Sequence, residues 1–137
     1  MLDLTLISAR IAAEVPGFRM LDEFASLVAA DGAPRQVPAA YLAPGNETAG
    51  ATSDYSNTQK LNIRFTVIIV VRNVSDSVGG AAQAEARVLS DALRVALRGW
   101  SPAAGFSRIQ LASAGPASMT NGFLYWPETF FTTQDLI

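Results

Sequence analysis

The chain has neither histidine nor cysteine. That closes off the Ser-His-Asp and Cys-His triads, zinc centres built on imidazole or thiolate, and every disulfide. What remains for bond-making chemistry is carboxylates, Lys60, and serine or tyrosine hydroxyls. The close carboxylate pairs are Asp22 with Glu23 and Glu47 with Asp54. Such a pair does acid–base work in glycosidases or holds a hard cation. Here the first reads better as the start of a helix and the second as part of a solvated loop. Gly105-Phe106-Ser107 opens like a nucleophile elbow, but Ile109 stands where the second glycine belongs and no general base is available. Gly79-Gly80 lacks the Lys-Ser/Thr pair of a phosphate loop and the three-glycine dinucleotide pattern, and reads as a turn. These residues predict a protein that is not an enzyme, with no catalytic, cofactor-binding or metal-binding residues and no cofactor.

The totals point the same way. At 137 residues the chain is long enough for one core and too short for two, so a single domain spanning 1–137 is expected. Half its residues are hydrophobic and only 16% are charged, which leaves less polar cover than a solitary monomer needs and predicts buried contact with a partner. The formal charge is −2, and the ten basic residues are scattered, so the density that phosphate neutralisation on DNA requires is missing. No basic segment followed by an apolar run opens the chain, and the longest apolar run, 67–71, is far below the roughly 20 residues that span a bilayer. No membrane partner is expected.

The elements that must position any contact residues follow from periodicity. Leu4, Ile7, Ile11 and Val15 predict a helix over 3–15, ended by Pro16 and Gly17. Leu21, Phe24 and Val28 predict a second, short helix that begins with Asp22 and Glu23 and closes at Gly32. Residues 35–42 read as a strand, and Pro38 argues for an edge position. Residues 43–59 show neither period and read as a long flexible loop. Leu61, Ile63, Phe65, Val67, Ile69 and Val71 give a strand whose other face is apolar only in its middle, so it should be central and covered there on both sides. The helix over 81–98 should bury an arc of Val88, Leu89, Ala92, Leu93, Val95 and Ala96, with Glu85 in its first turn near the positive end. Gly99 is placed to terminate it in a left-handed conformation, with Trp100 folding back on Val95. Strands over 106–112 and 123–133 flank a turn at Asn121-Gly122, and Pro127 predicts a bulge or an outer edge in the last. The expected fold class is α+β: a mixed, mainly antiparallel sheet with two to three helices packed against it.

Three features stand out as contact surfaces. The long connection contains Tyr55 as an anchor, and Glu47 and Asp54 without a base, so copies arranged around a channel would present an acidic lining that repels DNA phosphates. Arg87, Arg94 and Arg98 share one helical face around Asp91. Aromatics concentrate in the last third, and alternation cannot put every one of them inside, which leaves Trp126 and one of Phe130 or Phe131 as exposed anchors.

The order of these features resembles a known family. A short N-terminal helix comes first, then Pro34 through Tyr41-Leu42 into a polar loop, and a strand rich in Val and Ile. The helix ending Leu97-Arg98-Gly99-Trp100-Ser101-Pro102 follows, and Tyr125 to Phe130-Phe131-Thr132-Thr133 closes the chain. Together these resemble phage tail terminator proteins, especially those of long-tailed phages and Mu-like prophages. The resemblance implies a virion structural protein that forms a homohexameric ring at the head-proximal end of the tail. Such a ring ends tail-tube polymerisation and offers a surface for head joining. Its implied partners are further copies of itself, the tail tube protein and a head-completion or neck protein, with DNA passing through unbound specifically and assembly in the host cytoplasm. Rival readings are another neck, head-tail connector or tube subunit, and, from a different class, a small-molecule-binding domain with a closed apolar pocket.

Overall fold

A computed structural model of the chain describes residues 1–30, 32–51, 58–72 and 80–136. Helix α1 (Leu4–Glu14) starts at Asp3, whose carboxylate accepts from the Thr5 hydroxyl at 2.7 Å and the Thr5 amide at 3.0 Å, bonds that hold the Asp3 carboxyl below its ordinary pKa. Its predicted stripe is the observed one, with Ile7 and Ile11 wholly buried and Val15 nearly so. The second helix is shorter than its periodicity suggests. Residues Met20–Glu23 form β1, in parallel register with Ala39 to Leu42, and α2 (Phe24–Ala29) begins only afterwards. Strand pairing thus takes Leu21 and Asp22 out of the helix, and α2 buries Leu27 while Phe24 and Val28 stay exposed. Gly32, at φ 75°, closes it by donating to the Leu27 carbonyl at 2.8 Å.

Strand β2 (Ala39–Ala49) overturns two expectations. It is internal, flanked by β1 and by β3 (Gln59–Arg72), and Pro38 precedes it, so the missing donor costs the ladder nothing. It also runs well into the stretch expected to be loop. Residues 43–49 are strand, carried past a bulge between Pro44 and Glu47 by pairing of Glu47, Thr48 and Ala49 with Ile63, Asn62 and Leu61. Of the expected loop 43–59, residues 52–57 lie outside the described ones.

Strand β3 is central, as its pattern requires. Ile63, Phe65, Val67, Ile69 and Val71 enter the main core beneath α1 and α3 (Gly80–Leu97). On the opposite face Val70 and Ile68 meet Leu27, Ala39 and Tyr41 in a smaller cluster under α2, while Asn62 and Arg64 are exposed. The sheet is completed by β4 (Gln110–Ala114), β5 (Ser118–Thr120) and β6 (Phe123–Leu136). Its order is β1-β2-β3-β6-β4, with β5 also paired to β6, and every pairing except β1 with β2 is antiparallel. The Asn121-Gly122 turn between β5 and β6 has positive φ at both residues, as a tight hairpin demands. Among the described residues the architecture is three helices on a six-stranded mixed sheet, the α+β class expected.

Pro127 does not mark an outer edge. It lies in β6, opposite Ile68 of β3, and its carbonyl accepts from Gly115 at 2.8 Å. Amide and carbonyl of one strand residue face the same way, so the absent donor falls where β4 has ended and β5 has not begun. The register shift in this region is in β4, between Leu111 and Ser113.

Candidate subunit-contact site

Helix α3 presents a different side to the sheet from the one its wheel predicts. Ala82, Ala86, Leu89, Ser90, Leu93, Ala96 and Leu97 are buried, whereas Val88 and Val95 are 68% and 82% exposed. The helix is therefore rotated by about a quarter turn from the expected arc. Small side chains lie against the strands, where helix and sheet approach, and Ser90 and Arg94 turn inward. Gly99, at φ 79°, terminates the helix as predicted, but its amide donates across to Ile109 at 2.9 Å. Trp100 does not fold back on Val95. It packs on the main core with the Arg10 guanidinium 5.2 Å from its ring, while Arg10 Nε donates to the Ala96 carbonyl at 3.0 Å.

What draws Ser90 and Arg94 inward is Glu128, a carboxylate with no solvent exposure. It shares the core-facing parity of β6 with Leu124 and Phe130, and Phe130 stacks on Phe65 at 5.6 Å. Arg94 grips it with two hydrogen bonds, Nε to one oxygen at 2.9 Å and Nη2 to the other at 3.0 Å. Trp126 Nε1 donates to it at 2.9 Å, and the Ser90 hydroxyl donates as well. Hydrogen bonding to Glu128 holds the Arg94 guanidinium more firmly protonated than usual. All four donors aim at the carboxylate, leaving it no free role as base or nucleophile. The network locks α3 to β6.

Around this anchor lies a cleft of about 500 Å³ lined by Gln83, Arg87, Asp91, Arg94, Leu124 and Trp126, among others. The structure thus brings Arg87, Arg94 and Trp126 together. Arg98 borders a neighbouring recess with Arg94, Val95 and Arg108. Trp126 is half-buried, not an exposed anchor. Glu47 sits exposed on β2, beyond the bulge and opposite Ile63, in a strand and not a loop. Tyr55 and Asp54 lie outside the described residues. Glu128 escaped the sequence reading, although its even spacing with Leu124 and Phe130 was a usable signal. Ser107, the elbow candidate, bonds to Thr132 at 3.2 Å and accepts from the Thr133 amide at 2.9 Å, a structural use. Glu23 is the N-cap residue of α2 but makes no capping bond with its side chain, and Asp22, in β1, accepts from the Glu23 amide at 2.8 Å.

Among the described residues no group of three or more acidic side chains could hold a metal ion, and no helix is long and apolar enough to cross a membrane. Fold and site together define an α+β domain in which a buried polar network around Glu128 pins the main helix to the sheet. The family model for phage tail terminator proteins matches residues 1–137, and the chain belongs to that family. It is accordingly a phage tail structural protein, a component of virions. Among solved structures, a chain described as "Virion of native gene transfer agent (GTA) particle" shares the fold at a TM-score of 0.53 and 16% identity. The match covers 98% of this chain and 87% of that one. No curated protein matches the chain.

Proposed function

We propose that copies of this chain form a closed ring on the end of the tail tube, most simply a homohexamer, and that the ring stops tube polymerisation and gives the head-completion protein its docking surface. The observation that carries this reading is the family match along the whole chain. Its surface supports the reading: Val88 and Val95 on α3, Phe24 and Val28 on α2, and Met119 on β5 are all exposed apolar side chains awaiting cover. Each ring subunit would bury on the order of 800 Å² against each neighbour, and closure follows from the rotation between two unlike patches. Glu47, on the exposed distal part of β2, is suited to a channel lining along which DNA slides without specific binding. Asp54, with no basic residue between them, would add to the same charge. Assembly would take place in the cytoplasm of the infected host.

The test is deletion of the gene from its phage or particle, with tube lengths measured by electron microscopy. Loss of a terminator yields overlong tubes and unjoined heads, both reversed by supplying the protein in trans. Tubes of normal length attached to heads in the deletion strain would refute the proposal.

A further inference from the structure

The two ends of the strand order hold recesses lined by opposite charges. At one end stand β4 and the C-terminal turn of α3. There Arg98 and Arg108, neither of them in an ion pair among the described residues, border a recess of about 520 Å³ that also includes Val95. Val95 projects beside them, 82% exposed on a helix whose other valine, Val88, is bare too. Arg94, the remaining base of that recess, is already neutralised by Glu128. At the other end stand β1 and the start of α1, where Asp3, Asp22 and Glu23 line one shallow depression. Next to it an apolar hollow of about 750 Å³ is lined by Met1, Leu4, Phe24, Leu42 and Pro44, and rimmed by Asp3 and Glu23. The Met1 ammonium points away from this edge, donating to Gln134 of β6 at 2.9 Å. Four strand spacings, about 19 Å, separate the two edges, so they cannot meet within one copy.

We infer that neighbouring copies join head to tail through these edges, the Val95 knob and its arginines on one copy seating in the acid-rimmed apolar hollow of the next. The inference rests on the ring reading and names its interface. An apolar projection flanked by unpaired cations matches an apolar hollow flanked by unpaired anions in both shape and sign. Because the two patches differ, the contact is heterologous, and a heterologous contact closes into a ring or runs on as a filament. The main rival occupant of the hollow is the tail tube protein.

The chain contains no cysteine, so introduced thiols report one position each. Val95→Cys, Phe24→Cys and the double variant, all at exposed positions, are treated with a short bis-maleimide on assembled tails and at high protein concentration. The double variant is expected to give a ladder of covalent multimers, a mixture of the two single variants mainly dimers, and each single variant alone essentially none. Self-dimers of either single variant at the same yield, or cross-links from position 24 to the tube protein alone, would overturn the proposal. In parallel, Arg98→Glu and Glu23→Arg should each weaken self-association about tenfold or more, the effect of turning an attractive rim pair into a repulsive one. Mixing the two variants restores complementarity at every contact and should restore assembly. A wild-type ring that ignores both reversals and gives no 95–24 cross-link sinks this interface and leaves the ring standing. A wild-type chain that forms no multimer even on tube ends sinks the ring and this contact together.

Discussion

Glu128 is the residue on which the packing of α3 turns. A wholly buried carboxylate is tolerated because a bidentate guanidinium, an indole N–H and a hydroxyl all satisfy it. The two partners are not equivalent, since the Arg94 side chain keeps 32% of its exposure and the Glu128 side chain none. Removing Glu128 lets Arg94 swing to water; removing Arg94 strands a charge in the core. Arg94→Met should therefore cost about 3–5 kcal/mol. Glu128→Gln, which keeps the shape and some of the hydrogen bonds, should cost less, about 1–3 kcal/mol. Urea unfolding of both variants checks the order, and a double variant should destabilise by less than the sum because the charges vanish together. An Arg94→Met protein as stable as wild type would mean that the pair contributes nothing. This pair was half legible in the sequence. Arg94 was singled out, but as part of an outward stripe with Arg87 and Arg98, because a helical wheel assigns arginine to water and cannot see a buried acid on another element.

Individual elements were legible where one periodicity ruled and obscured where tertiary pairing overrode it. The stripe of α1, the alternation of β3, the Gly99 terminator and the Asn121-Gly122 hairpin all carry their causes locally. Strand β1 and the distal half of β2 do not. Residues 43–49 contain Pro44, Gly45 and Asn46, which read as loop, and only the ladder offered by β3 makes them strand. Gly45 shows why the composition is needed. A Cβ there would lie 2.6 Å from the Arg64 carbonyl oxygen, on the neighbouring strand and part of the backbone, so it cannot rotate away. The bulge between Pro44 and Glu47 brings the two chains that close, and only glycine fits. Gly45→Ala should force the strands apart and cost about 1–3 kcal/mol, with the pairing of Glu47, Thr48 and Ala49 weakened most. Amide exchange measured residue by residue checks this: protection should drop at residues 47–49 and 61–63 and persist at 67–71. Unchanged exchange at those positions would show that the bulge has room to spare.

At the scale of the whole molecule, the last strand in sequence is central in space. β6 lies between β3 on one side and β4 and β5 on the other, and its pairing with β3 runs from Arg72 opposite Phe123 to Gln59 opposite Leu136. It brings Leu124, Glu128 and Phe130 into the main core, so α3 loses its anchor and β3 its partner without it. Burial of Leu124 and Phe130 alone is worth about 3–6 kcal/mol, and the ladder and the Arg94–Glu128 contact add to that. A domain of this size has a net stability of only about 5–15 kcal/mol. A chain ending at residue 122 should therefore not fold, and should give a disordered circular dichroism spectrum and sediment as aggregate, since β3 would be left as a long apolar edge. A chain ending at residue 133 loses far less. The Lys60–Asp135 pair it removes is 3.2 Å long but mostly exposed on both sides, and such pairs contribute about 0–1 kcal/mol. That protein should unfold cooperatively at nearly the wild-type temperature. The comparison separates two accounts of the fold: if the 1–122 chain also unfolds cooperatively, helices and β1–β3 form an independent unit and β6 merely decorates it. If it does not, the protein becomes competent to cap a tube only once its C-terminal strand has been made and inserted.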